Sequence, residues 1–183
     1  MEKEISCLID VFINLSDELR PGYAQSIAKD SESSSLVLPN SLKMLYSKVS
    51  GTYYKIENQQ MMDFLPGYLL IRDVEYEGFM QSIKEIIPDE EDEYYPILVN
   101  YSSDFYALKV SEGKENGIFL IEHDSDEPIK IHNSFEDFLR TIIACYQEKI
   151  YFLDDDGYLD MDFDGEQLIG QKYNPDIDYW FED

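Results

Sequence analysis

Residues Tyr95–Leu139 read YPILVNYSSDFYALKVSEGKENGIFLIEHDSDEPIKIHNSFEDFL, and this stretch decides the fold class. Tyr95–Tyr101, Phe105–Val110 and Gly117–Glu122 are short runs of β-branched and aromatic residues bounded by polar turns, the pattern of strands. Glu112–Gly117 supplies a turn that joins the last two into a hairpin, and a fourth strand is expected through Pro128–Ile131. At Ser134 the period changes. Ser134 is placed to cap a helix, with Asp137 approximating the capping-box partner where Glu or Gln is preferred. Phe135, Phe138, Leu139, Ile142, Ile143 and Tyr146 then recur at helical spacing, a wide apolar face destined for a core. The stretch thus reads as a run of strands followed by a helix with a core-facing stripe.

Upstream, Ile5, Leu8, Ile9, Phe12, Leu15 and Leu19 mark an amphipathic helix over residues 3–20, stopped by Arg20-Pro21-Gly22. A shorter helical piece is expected around Tyr23–Lys29, and Asp30–Ser35 reads as a polar loop. Leu38, Leu42, Leu45, Tyr46 and Val49 share a face of a second helix, with Pro39 in its first turn and Gly51 as its C-terminal cap. Phe64–Ile71 reads as a turn into a buried strand, and Val74–Ile87 as a helix ended by Pro88. The like charges of Asp89, Glu90, Glu91, Asp92 and Glu93 cannot be packed together and predict a solvated loop.

Downstream, residues 151–183 hold eleven acidic side chains and one lysine, yet keep Tyr, Phe, Leu, Ile and Trp180. These residues read as an acidic, partly folded C-terminal extension over 151–183 laid against the domain. Tyr179 and Trp180 have two readings. They are anchors for another protein, or rings that pin the extension to the core.

The chain carries 39 acidic against 14 basic residues, a formal net charge of -25. Such a surface repels nucleic acid and anionic membranes, since phosphate binding needs clustered Lys and Arg. It attracts basic partners and speeds their association, although acidity that serves only solubility is the competing reading. The start of the chain lacks the pattern of a signal peptide and no apolar run is long enough to span a membrane, so a cytoplasmic location is expected. Cys7 and Cys145 lie far apart without C-x-x-C pairing and read as two buried thiols.

Catalytic signatures are missing: no P-loop, G-x-G-x-x-G, H-E-x-x-H or G-x-S-x-G occurs, and His123 and His132 are the only histidines. No cofactor is implied. Asp160-Met161-Asp162-Phe163-Asp164-Gly165 matches the first half of an EF-hand loop, but the twelfth position falls on Gln171, which offers no bidentate carboxylate. The same alternation fits a strand with an acidic outer face, and that reading is favoured over a metal site. The residues themselves thus point to an acidic, non-enzymatic protein binder. Its candidate contacts are Asp89, Glu90, Glu91, Asp92 and Glu93, then Asp154, Asp155, Asp156, Asp160, Asp162 and Asp164, with Tyr179 and Trp180 as anchors.

Four ordered segments carry a family resemblance. Leu38-Pro39 with Tyr46 and Ser50-Gly51, Phe64-Leu65-Pro66 with Leu69-Leu70, Pro96-Ile97 with Ser103-Asp104-Phe105-Tyr106-Ala107-Leu108, and Ser134–Leu139 resemble successive motifs of the SUKH superfamily. That superfamily also contains fungal regulators of cell-wall glucan synthesis. Ser50 stands where the family usually has Asn, and Ser103 where it usually has Gly. The resemblance, which spans about residues 36–150, implies a single α+β domain over that range with helices on a curved, mostly antiparallel sheet. A helical lead-in over residues 1–35 precedes it, and the acidic extension over 151–183 follows. It also implies a bacterial immunity protein that binds a cognate, basic toxin domain, often a nuclease, and blocks it. A regulatory scaffold for an endogenous protein is the second function the resemblance admits.

Overall fold

The computed structural model describes residues 2–29, 37–88 and 90–181. The expected loop at Asp30–Ser35 and the candidate contact Asp89 lie outside the described residues. Helix α1 (Glu2–Leu19) buries Ile5, Ile9 and Phe12 along the stripe read from the sequence, and α2 (Tyr23–Ser26) follows one turn later. Cys7 departs from expectation. It lies on the solvent side of α1, whereas Cys145 is buried.

Helix α3 (Asn40–Lys48) presents Leu42, Leu45 and Tyr46 inward and has Pro39 at its N-cap. Gly51, expected as its C-cap, has another role. The helix ends at Lys48, Val49 is extended, and the chain then runs beside residues 70–73 through Thr52 N–H to Leu70 C=O (2.8 Å) and Asp73 N–H to Ser50 C=O (3.2 Å). Gly51 has φ +101°, and a Cβ there would sit 2.6 Å from the Ile71 carbonyl oxygen. Only glycine fits so close a crossing.

Among the described residues six strands form one antiparallel sheet in chain order: β1 (Asp63–Leu65), β2 (Tyr68–Leu70), β3 (Glu93–Asn100), β4 (Phe105–Ser111), β5 (Lys114–Ile121) and β6 (Ile129–His132). β1 was not expected; the Pro66-Gly67 turn makes a hairpin of what reads as one strand with a leading turn. The β4–β5 turn is also tighter than expected. Lys114 already pairs with Ser111, so Glu112 and Gly113, both at positive φ, make the whole connection. Pro96 has no N–H for the ladder, and the register with β4 slips there, from Pro96–Ala107 to Leu98–Tyr106.

Helix α4 (Tyr76–Ile86), entered through a 3₁₀ turn at Asp73–Glu75, packs against one face of the sheet, with Phe79 edge-on to Phe105. Helix α5 (Phe135–Gln147) covers the other, with Phe138 edge-on to Tyr106. Ser134 Oγ accepts the Asp137 N–H at 3.0 Å, the cap expected from sequence. α1 lies across α5 as a second helical layer.

The acidic segment is folded. β7 (Tyr151–Leu153) and β8 (Leu159–Met161) form a separate hairpin, followed by α6 (Phe163–Tyr173) and a 3₁₀ turn at Asp178–Phe181. The strand expected through Asp164 therefore stops at Met161. Asp162 becomes the helix N-cap residue, and Asp164 and Glu166 fall in the first turn, where negative charge complements the helix dipole.

Candidate protein-binding surface

The tip of the β7–β8 hairpin is Asp154-Asp155-Asp156-Gly157. Asp154 closes it: its Oδ1 accepts the N–H groups of Asp156 (2.9 Å) and Tyr158 (2.8 Å), an Asx turn. That carboxylate is thereby committed to backbone. Asp155 and Asp156 are exposed and project from the turn.

The tip is fixed to the domain. Gln60 Nε2 donates to the Asp156 carbonyl at 2.6 Å, and Tyr151 OH donates to Glu166 Oε1 at 2.6 Å, joining hairpin to α6. Burial raises the Glu166 carboxyl above its usual range, partly offset by that hydroxyl. Next to Gln60 lies Asp63, whose Oδ1 accepts from Tyr101 OH (2.9 Å) and whose Oδ2 accepts the Gly67 N–H (3.0 Å). Burial pushes the Asp63 carboxyl up; the Tyr101 hydroxyl, the Gly67 N–H and the Arg20 guanidinium pull it down. Beneath both, buried Arg20 donates through one Nη to the carbonyls of Asp63 (2.7 Å) and Gln60 (3.5 Å) and through the other to Tyr146 OH (3.3 Å).

Large apolar side chains are exposed along the hairpin and α6: Phe152, Leu153 and Tyr158 flank the turn, and Phe163 and Leu168 follow from its base. Tyr101, Phe152, Leu153, Tyr158, Phe163 and Leu168 are all exposed, Phe163 by 69% and Tyr101 by 67%. One exposed ring is ordinary; several beside a rigid acidic turn mark an interaction surface. A carboxylate next to an exposed aromatic suits an incoming Lys or Arg, which meets both charge and ring face.

The other candidate contacts distribute unevenly. Asp160, partly exposed, turns Oδ1 to the Met161 N–H (2.8 Å), while Asp162 and Asp164 are exposed at the start of α6. Trp180 is only 6% exposed, packed at a tilt against the His132 ring and hydrogen-bonded to β6, so it pins the extension to the sheet. Tyr179 is half-buried, edge-on to Trp180. Of the run around 89–93, Glu90 and Asp92 flank Lys109 at 3.9 and 2.9 Å, Glu91 is exposed, and Glu93 accepts from Tyr95 OH at 3.2 Å. Glu93 opens β3, whereas Tyr101 follows its last residue, so the two acidic runs sit at opposite ends of a strand ~24 Å long. They do not form one site.

The histidines differ. His123 is exposed and bonded to Asp104 at 2.7 Å, and that carboxylate raises its pKa. His132 is buried between Phe138 and Trp180, its Nδ1 donating to Asn174 Oδ1 at 3.2 Å. Among the described residues no three His, Cys, Asp or Glu side chains converge to hold a metal ion, Asp160, Asp162 and Asp164 included. No helix among them is long and apolar enough to cross a membrane.

The exposed rings were the part of this surface missed from sequence. Their signal was modest: Tyr, Phe and Leu flanking a D-D-D-G turn with no helical or buried-strand period to claim them.

Comparison with family models gives a match over residues 25–141 to the one described as SMI1 / KNR4 family (SUKH-1). A search of curated proteins gives no match. The matched region runs from α2 into α5. The hairpin and α6 lie beyond it.

Proposed function

The chain belongs to the SMI1 / KNR4 family (SUKH-1), and from that membership we propose that it is an immunity protein. It binds a cognate toxin domain and occludes the toxin's active or substrate-binding surface. The observation that carries this reading is the rigid acidic turn of the β7–β8 hairpin, with Asp155 and Asp156 exposed beside Tyr158 and Tyr101. A toxin that acts on nucleic acid presents a basic, substrate-binding face, and carboxylates held in place compete for it as phosphates would. The net charge of -25 adds long-range attraction that accelerates encounter. Asp162 and Asp164, exposed at the base of the hairpin where α6 begins, add to the negative charge around it. Trp180, being buried, takes no part.

Co-expression tests this directly. A toxin domain encoded beside this gene should be lethal alone, tolerated with the wild-type chain, and recovered with it as a stable complex. Toxicity that persists despite soluble, folded chain would defeat the proposal.

A further inference from the structure

At the end of β3 remote from the hairpin, the structure holds a groove of about 760 Å³. Its apolar lining comes from Val37, Met44, Tyr95 and Val110. Val37 is 83% exposed, and the other three are half-buried. The starts of α1, α3 and α5 form its walls through Glu2, Ser41 and Glu136.

Helix starts ordinarily draw anions. Here that demand is already met from within. Glu115 accepts both the Ser41 N–H (3.0 Å) and the Ser41 hydroxyl (2.5 Å), Ser134 caps α5, and Glu2 and Glu4 stand in the first turn of α1. The lining still carries more acidic than basic side chains. Arg140 takes up Glu136 at 2.9 Å, and among the described residues lining the groove Glu2, Glu93 and Glu115 stand with one cation, Lys114. An apolar floor inside such a lining fits a segment that is apolar on one face and basic at its edges. A second copy of the chain, itself at -25, would set like charges against each other.

We infer that this groove docks an amphipathic, lysine- or arginine-flanked segment of the partner protein, a second contact separate from the hairpin. The inference rests on the reading of the chain as a protein binder. It divides the work: the hairpin meets a basic face, and the groove takes an apolar anchor whose contribution survives salt that screens the hairpin.

The probe is a synthetic helical peptide with leucines on one face and lysines on the other, set against a leucine–glutamate counterpart. Each is titrated into the full chain and followed by backbone amide NMR. Shifts should concentrate at residues 37–44, 93–95, 110–115 and 135–136, and the lysine peptide should bind at least ~10-fold more tightly than the glutamate one. Val37→Asp and Glu93→Lys, both at exposed positions, should each weaken it ~5- to 10-fold. Asp155→Lys should leave it within ~2-fold. Shifts spread over the hairpin, indifference to Val37→Asp, or a concentration-dependent dimer through the groove without peptide would overturn the inference. A toxin domain that ignores Val37→Asp but loses affinity with Asp155→Lys would remove the groove and leave the immunity reading intact.

Discussion

Trp180 Nε1 donates to the backbone carbonyl of Ile131 at 2.7 Å, joining the last turn of the described chain to the outermost strand of the six-stranded sheet. The indole lies over Gly170, where a Cβ would collide with its six-membered ring. Trp180 is the only tryptophan, so its fluorescence reports this docking alone. Trp180→Ala should cost ~3–5 kcal/mol, the range for deleting a large buried ring. Gly170→Ala should expel the indole, shift its emission to the red and lower the denaturation midpoint. Unchanged emission in Gly170→Ala would show that the tail does not depend on this contact.

Ser103 holds φ +70°, in the left-handed region where a Cβ is strained. Its segment resembles a motif that usually carries Gly here, and the backbone supplies the reason. Ser103→Gly should gain ~0.5–1 kcal/mol after allowing for the greater freedom of unfolded glycine. Ser103→Val should lose more than that. Urea midpoints check both signs.

Arg20 is 2% exposed, stacks 3.9 Å over the Tyr23 ring, and reaches the carbonyls of Gln60 and Asp63. The sequence shows it only as part of a helix stop. Arg20→Met should cost ~2–4 kcal/mol, because it strands the part-buried carbonyls of Gln60 and Asp63 and the buried Tyr146 hydroxyl and empties the stacking site. Arg20→Lys should recover little of it, having no planar fork. Since Gln60 also holds Asp156, amide exchange at the hairpin tip should rise in both variants.

His132 gives a pH dependence of definite sign. Burial, outweighing the Asn174 hydrogen bond, lowers its pKa from 6.5 to about 3. Between those values the unfolded chain takes up a proton that the folded chain refuses, so stability falls as pH drops below 6.5, by up to ~1.4 kcal/mol per unit. Asp63 and Glu166, both raised by burial, act oppositely: the folded state takes their protons first and gains stability in acid. Comparing His132→Gln with wild type isolates the histidine. The variant should be less stable near neutrality but flatter from about pH 6.5 to about pH 4.5. Parallel curves would refute the assignment.

The central meander and α5 were legible because period-2 runs and one capped apolar face speak for themselves. Phe135, Phe138 and Leu139 are buried as their spacing requires. What was hidden depended on tertiary contact. Helix α6 buries only Ile169 and Gly170, so its sequence shows no stripe. Gly51 looks like a helix cap because a single residue gives no sign of the Ile71–Arg72 backbone that will pass beside it. The surface was half legible: the carboxylates announced themselves, but not that Asp154 is spent on its own turn, that Trp180 faces inward, or that the two acidic runs lie at opposite ends of β3.

In the proposed function, the acidic hairpin steers and seats a basic toxin domain. Asp154 must be spared, since its loss would open the turn. The measurement is the association rate of that domain with Asp155→Lys/Asp156→Lys, by stopped flow across a salt series. The low-salt association rate should fall ~10-fold or more, with a shallower salt dependence and a dissociation rate changed less. An association rate equal to wild type at every salt concentration would contradict that role.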